Sequence, residues 1–178
     1  GNNGSFRGIK TGEGVLFSAC KFGEKTSFAK LGRRLTEFGK RNVFKGSSLG
    51  NESNLSGCKF GAGFLFESGH IGKGCDFSNA QFGPSLNFEN VNIQHAFFSG
   101  LKFENSASFI RCEFHNSTDF SGVSFVKTSG ENSLLLFDNT SFYGVTNFSK
   151  SKFDGPVSFD EGEFKDIYFT GSIFLSSA

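Results

Sequence analysis

The chain has 178 residues, 27 of them Phe and 24 Gly, with a formal net charge of +1. Charged residues make up 20% and hydrophobic residues 37% of it, which excludes a disordered polyelectrolyte. Its apolar runs fall far short of the ~20 residues that a membrane span needs.

Residues 1–37 are the least regular part and read as an N-terminal coil or cap. Within them, Lys30-Leu31-Gly32-Arg33-Arg34-Leu35 carries no clean apolar position and reads as a bulged loop or a short helical turn. From Phe38 onward an apolar residue recurs at intervals that mostly alternate between five and six. The rungs are Phe44, Leu49, Leu55, Phe60, Phe66, Ile71, Phe77, Phe82, Phe88, Ile93, Phe98, Phe103, Phe109, Phe114, Phe120 and Phe125. They resume at Phe137 and run through Phe142, Phe148, Phe153, Phe159, Phe164, Phe169 and Phe174. Only Phe64 and Phe97 among the phenylalanines fall off the ladder. The spacing shortens by one residue around Ile93, Phe98 and Phe103, and again at Phe164, Phe169 and Phe174. Between Phe125 and Phe137 it is one residue too long if a rung is hidden there, and six too long if none is. Such irregularities in a repeat map to loops, either harmless insertions at corners or a recognition loop.

The residue two before each rung is small or apolar and the one directly before it is polar, as in Cys58-Lys59-Phe60, Ala80-Gln81-Phe82 and Val123-Ser124-Phe125. A period of two means strands. Gly or a polar residue follows the rung, as in Phe120-Ser121-Gly122, where the chain must turn. A repeat this short buries its apolar residue only by stacking on its neighbours, so the fold is an all-β solenoid. For like sides to stack on like, a five-six alternation needs an even number of sides per coil. Four sides of about 22 residues per turn fit, and three do not. The expectation is one quadrilateral β-helix of about seven to eight coils over residues 1–178. The scarcity of Pro, two residues in all, agrees with a backbone committed to inter-coil hydrogen bonds.

The recurring unit of a small residue, a polar residue, Phe or Leu and two variable residues resembles the motif of the pentapeptide-repeat family. The resemblance covers nearly the whole chain and is most secure over residues 38–174. It departs from the plain motif by inserting a sixth residue in every second side. It implies a right-handed, four-sided β-helix with the Phe side chains stacked inside. Some members of that family bind DNA gyrase or other topoisomerases by imitating duplex DNA, which requires a strongly acidic rod. The net charge here disfavours that role.

The four cysteines, Cys20, Cys58, Cys75 and Cys112, all stand two before a rung. That slot points inward and predicts buried free thiols rather than a disulfide framework, a metal site or a nucleophile. His70, His95 and His115 flank the rungs Ile71, Ile93 and Phe114 and share a face or its corner. They are either a metal or anion patch or simply exposed polar residues. No phosphate loop, paired-cysteine zinc pattern or nucleophile elbow occurs, and neither cofactor nor metal is expected.

Charge is uneven along the chain. Residues 1–50 hold 10 Lys/Arg and 3 Asp/Glu, a net of +7, and residues 51–178 hold 8 and 14, a net of −6. The basic end includes Arg33, Arg34, Lys40 and Arg41, and the acidic end Asp160, Glu161 and Glu163. The expected role is a non-enzymatic structural or protein-interaction module, a rigid scaffold for a protein partner that the residues do not identify. Head-to-tail association of copies through the solenoid ends is the alternative, with topoisomerase-binding DNA mimicry after it. Direct nucleic-acid binding is disfavoured because the aromatics are committed to the core. With no Met and no leader pattern at Gly1, the chain reads as a processed or partial form whose flanks could carry localisation or activity. The residues assign no compartment.

Overall fold

A computed structural model of the chain describes residues 1–127 and 134–175. Among these residues every element is a short strand of two to seven residues, and none is a helix. The strands form ladders in which each pairs in parallel with the equivalent strand one coil away. Two ladders are seven strands deep, which is six turns from first strand to last, and a third holds eight strands. Consecutive strands of one ladder are joined by the rest of a coil. The sense that such a crossover takes between parallel strands is right-handed.

The rungs stand in four columns, one per side of the coil. Side I carries Phe38, Phe60, Phe82, Phe103, Phe125, Phe153 and Phe174. Side II carries Phe17, Phe44, Phe66, Phe88 and Phe109, then Phe137 and Phe159. Side III carries Phe22, Leu49, Ile71, Ile93, Phe114, Phe142 and Phe164. On side IV, Phe77, Phe98, Phe120, Phe148 and Phe169 are stacked in turn. Within a column the rings lie nearly parallel, as for Phe60 and Phe82 at 4.5 Å and Phe114 and Phe142 at 4.6 Å. Between columns they meet edge to face, as for Phe98 and Phe109 at 6.2 Å. Both arrangements suit the ring quadrupole. Phe64, off the ladder, occupies the inward slot two before Phe66 and is buried against Phe60 at 4.6 Å.

On sides I and III a polar residue in that inward slot bonds to the backbone of the preceding coil, whereas on side IV Thr26, Ser53 and Thr118 bond within their own coil and Thr146 Oγ1 is buried without a partner among the described residues. Ser47 Oγ donates to the Phe17 carbonyl at 2.8 Å, Thr140 Oγ1 to Phe109 at 2.6 Å and Ser151 Oγ to Phe120 at 3.1 Å. A buried hydroxyl so satisfied costs little. The four cysteines are free. Cys58, Cys75 and Cys112 are buried as expected, and burial pushes their thiols up to about 12, 11 and 12. Cys20 is only half-buried, because it lies in an early coil whose inward slot is less well covered.

The irregular segments take definite forms. Leu31 and Arg34 exchange backbone hydrogen bonds of 2.9 and 3.0 Å, which makes residues 31–34 a two-residue hairpin. Of the two readings of this segment the loop is the right one. Gly32, at φ +58°, holds the first central position, where only glycine is free of strain. The shortened sides are absorbed as bulges in their neighbours. His95 pairs with Lys73 and Ala96 with Cys75, which leaves Gly74, at φ +75°, as the extra residue. The long interval after Phe125 hides no rung, since Phe137 stacks directly on Phe109 at 5.1 Å. Residues 128–133 of that interval lie outside the described residues.

Candidate functional site

Side IV has an outward column directly before its rungs, in which Ser27, Asn54, Asp76, Phe97, Asp119, Asn147 and Tyr168 follow one another coil by coil. Asn and Asp there have a local task. The side chains of Asn54, Asp76, Asp119 and Asn147 accept the backbone N–H two residues on, from Ser56, Ser78, Ser121 and Ser149, at 2.8 to 3.0 Å. Each bond closes an Asx turn that carries the chain around its corner. Two coils break the rule. At Phe97 and Tyr168 an aromatic ring replaces the cap and stands in solvent, 39% and 50% exposed. These are the two coils whose side IV is one residue shorter.

The large apolar side chains exposed elsewhere along the described residues belong to the first coils, to the Leu31 hairpin or to residues 173–175, apart from Tyr143 and Val145. Those two lie on the strand Ser141–Asn147, which bends from side III into side IV. Phe97, Tyr143, Val145 and Tyr168 are thus spread along side IV and the corner it shares with side III, with Asp119 and Asn147 between the two rings of the column. The strands that carry these residues hold Glu163 and Asp166 against Lys165, and the strands paired with them hold Asp76, Glu113 and Asp119 against Lys73.

The histidines fall on the same two sides. His70 is exposed in the outward column of side III, beside Ser48 and Asn92. His95 lies against Phe97 with ring centroids 5.1 Å apart. His115 stacks on Tyr143 at 5.2 Å, with Nε2 placed 2.8 Å from Asn92 Nδ2 and 3.1 Å from Glu113 Oε2. The rings of His95 and His115 each have a partner, and among the described residues no three His, Cys, Asp or Glu side chains converge as a metal site.

The charged candidates are spread more widely. Arg33 and Arg34 sit on the hairpin, whose base is held by Arg7 donating to the Lys30 carbonyl at 3.0 Å. Arg41 is ion-paired with Glu13 one coil away, and Lys25 and Lys45 pair with Glu52 and Glu67 at 3.7 and 3.0 Å. These exposed pairs add little stability, but two of them bring a carboxylate from beyond residue 50 to the basic end. Among the described residues Arg33, Arg34 and Lys40 form no ion pair, and neither do Glu163 and Asp166. Glu163 follows Ser141 in the side III column, whereas Asp160 and Glu161 turn away after the side II rung Phe159. The set of exposed aromatics itself is not apparent from spacing. Its one sequence signal was Phe97, off the ladder and adjacent to a rung.

Comparison with known proteins agrees with this architecture. The family model for pentapeptide repeats (9 copies) matches residues 137–178. A search of curated proteins returns no match. Among solved structures, two trypsin-treated variants of QnrB1, a plasmid-mediated fluoroquinolone resistance protein, are similar at 16% and 17% identity. They cover 97% and 89% of this chain and 86% and 83% of their own, with TM-scores of 0.24 and 0.27. Likeness of that degree informs neither partner nor site. The stacked columns that run through residues 137–178 continue back to the first coils, and residues 137–178 match the pentapeptide-repeat family.

Proposed function

We propose that the chain is a non-enzymatic protein-interaction module, a rigid scaffold that docks a protein through side IV and the corner shared with side III. The observation that supports this reading is the replacement of a corner cap by an exposed ring at Phe97 and Tyr168. A repeat protein that gives up a local hydrogen bond to present an aromatic side chain breaks its own folding rule, and such breaks collect at functional positions. Aromatic side chains are also the residues that anchor protein interfaces. The test is a photoreactive phenylalanine analogue placed at position 97, 143 or 168, with position 124 on the outward face of side I as control. Protein adducts are expected from the first three positions and none from the control. Absence of adducts at all three overturns the reading.

Head-to-tail association is the second reading. It is supported by apolar side chains exposed in the first coils, Phe6 and Leu16, and in the last described coil, Ile173, Phe174 and Leu175, together with the opposite charge of the two ends. DNA mimicry ranks below both. The outward column of side I carries Lys10, Lys59, Lys102 and Lys152 against Glu37, where an imitation of phosphates needs negative charge.

A further inference from the structure

Side IV has an internal symmetry. In its outward column Phe97 stands three coils after Ser27 and three coils before Tyr168, about 14 Å either way at about 4.8 Å per coil. The coil of Ser27 is the one that leaves side IV through the hairpin, where Leu31 is 50% exposed and Arg33 and Arg34 are without a carboxylate. The coil of Tyr168 carries a ring 50% exposed, with Asp166 two residues before it. Along one side of the rod there is thus a cationic protrusion with an exposed leucine at one position, an aromatic ring at the centre, and an aromatic ring with a carboxylate at the mirror position.

Resting on the reading of side IV as a docking surface, we propose that its occupant is a second copy of the chain, laid antiparallel so that a two-fold axis passes beside Phe97. Such a contact is isologous, the same patch serving both partners. It sets Phe97 against Phe97 and brings the Leu31–Arg34 hairpin of each copy to Tyr168 and Asp166 of the other. There an arginine gains a ring face and a carboxylate together. Between the anchors the side is flat and small, formed by Ser56, Ser78, Ser99, Ser121 and Ser149 after the rungs, which lets two rods approach closely. The same register puts Asp76 opposite Asp119, a like-charge approach that lowers the affinity. The contact area is modest as well, a strip about 35 Å by about 10 Å on each copy plus the hairpins. Interfaces of that size are reversible, so the pair forms with rising concentration.

The test uses the full chain with Cys20→Ser, which removes the accessible thiol, and either Phe97→Cys or Ser124→Cys. A two-fold beside position 97 makes Phe97→Cys oxidise to a covalent dimer at least tenfold faster than Ser124→Cys. In sedimentation velocity, wild-type chain is expected to shift from monomer to dimer with concentration. Arg33→Glu with Arg34→Glu is expected to weaken this at least tenfold without lowering the melting temperature. A wild-type chain that stays monomeric at the highest concentration, or equal oxidation at the two positions, overturns the proposal. A monomeric chain that still yields photo-adducts with a foreign protein at position 97 or 168 overturns only the self-pairing and leaves the docking surface standing.

Discussion

The corner residues and the inward cysteines show how much one position in this repeat is asked to do. A residue directly before a side IV rung faces out and turns the chain, so Asn or Asp serves there and an exposed ring does not. A residue two before a rung faces in, so a thiol there behaves as a small apolar group. Cys58, Cys75 and Cys112 hold their protons to about 12, 11 and 12 because burial disfavours the thiolate. These folded values are raised above 9.0, the ordinary thiol value, which the unfolded chain keeps. The stability linked to them is therefore complete below about pH 9 and is lost as pH climbs toward 11 and 12, at about 1.4 kcal/mol per pH unit for each thiol. Urea unfolding followed between pH 8 and pH 11, as orders of alkalinity at which ordinary thiols titrate, is expected to show this fall. Replacing the three by Ala flattens it, and Cys20 alone reacts with a thiol reagent under native conditions.

At the scale of elements, each strand is too short to be stable alone, and its stability comes from the rung above and the rung below. Phe109 illustrates the point, being buried between Phe88 and Phe137 at 5.0 and 5.1 Å and touching Phe98, Phe103, Phe114 and Phe120 at their edges. Phe109→Ala is expected to cost about 3 to 5 kcal/mol, read as a lower midpoint in chemical unfolding. If the cost is under 1 kcal/mol, the continuous stack is wrong. The columns were legible in the sequence because the rung is nearly always Phe and its period is fixed by the coil. The path between Phe125 and Phe137 was not, since spacing allows either a hidden rung with one extra residue or no rung with six, and only the stacking of Phe137 on Phe109 decides it. Gly74 as a bulge was equally hidden. A five-residue side beside a six-residue side requires an extra residue somewhere, but which one absorbs it depends on backbone conformation, not on pattern.

The whole molecule is a rod whose interior is nearly uniform and whose sides differ. Sequence reasoning reached the rod and the uneven charge, and it placed His95 and His115 near one corner. It missed the exposed aromatic residues because a single exposed ring before a rung gains meaning only when its column is seen to hold Asn or Asp at positions 54, 76, 119 and 147. Lys25 and Lys45 of the basic end are also paired across coils with Glu52 and Glu67, so the charge difference between ends is somewhat weaker at the surface than along the chain. The account rests on Phe97 and Tyr168 serving a partner and not the fold. Equilibrium urea unfolding of the chain with Phe97→Asn and Tyr168→Asn tests this most directly. Because Asn restores the corner acceptor toward Ser99 and Thr170, the double variant is expected to be as stable as the parent or more stable by about 1 kcal/mol. A loss of about 2 kcal/mol or more would show that the two rings hold the solenoid together and would contradict the assignment of side IV as a docking surface.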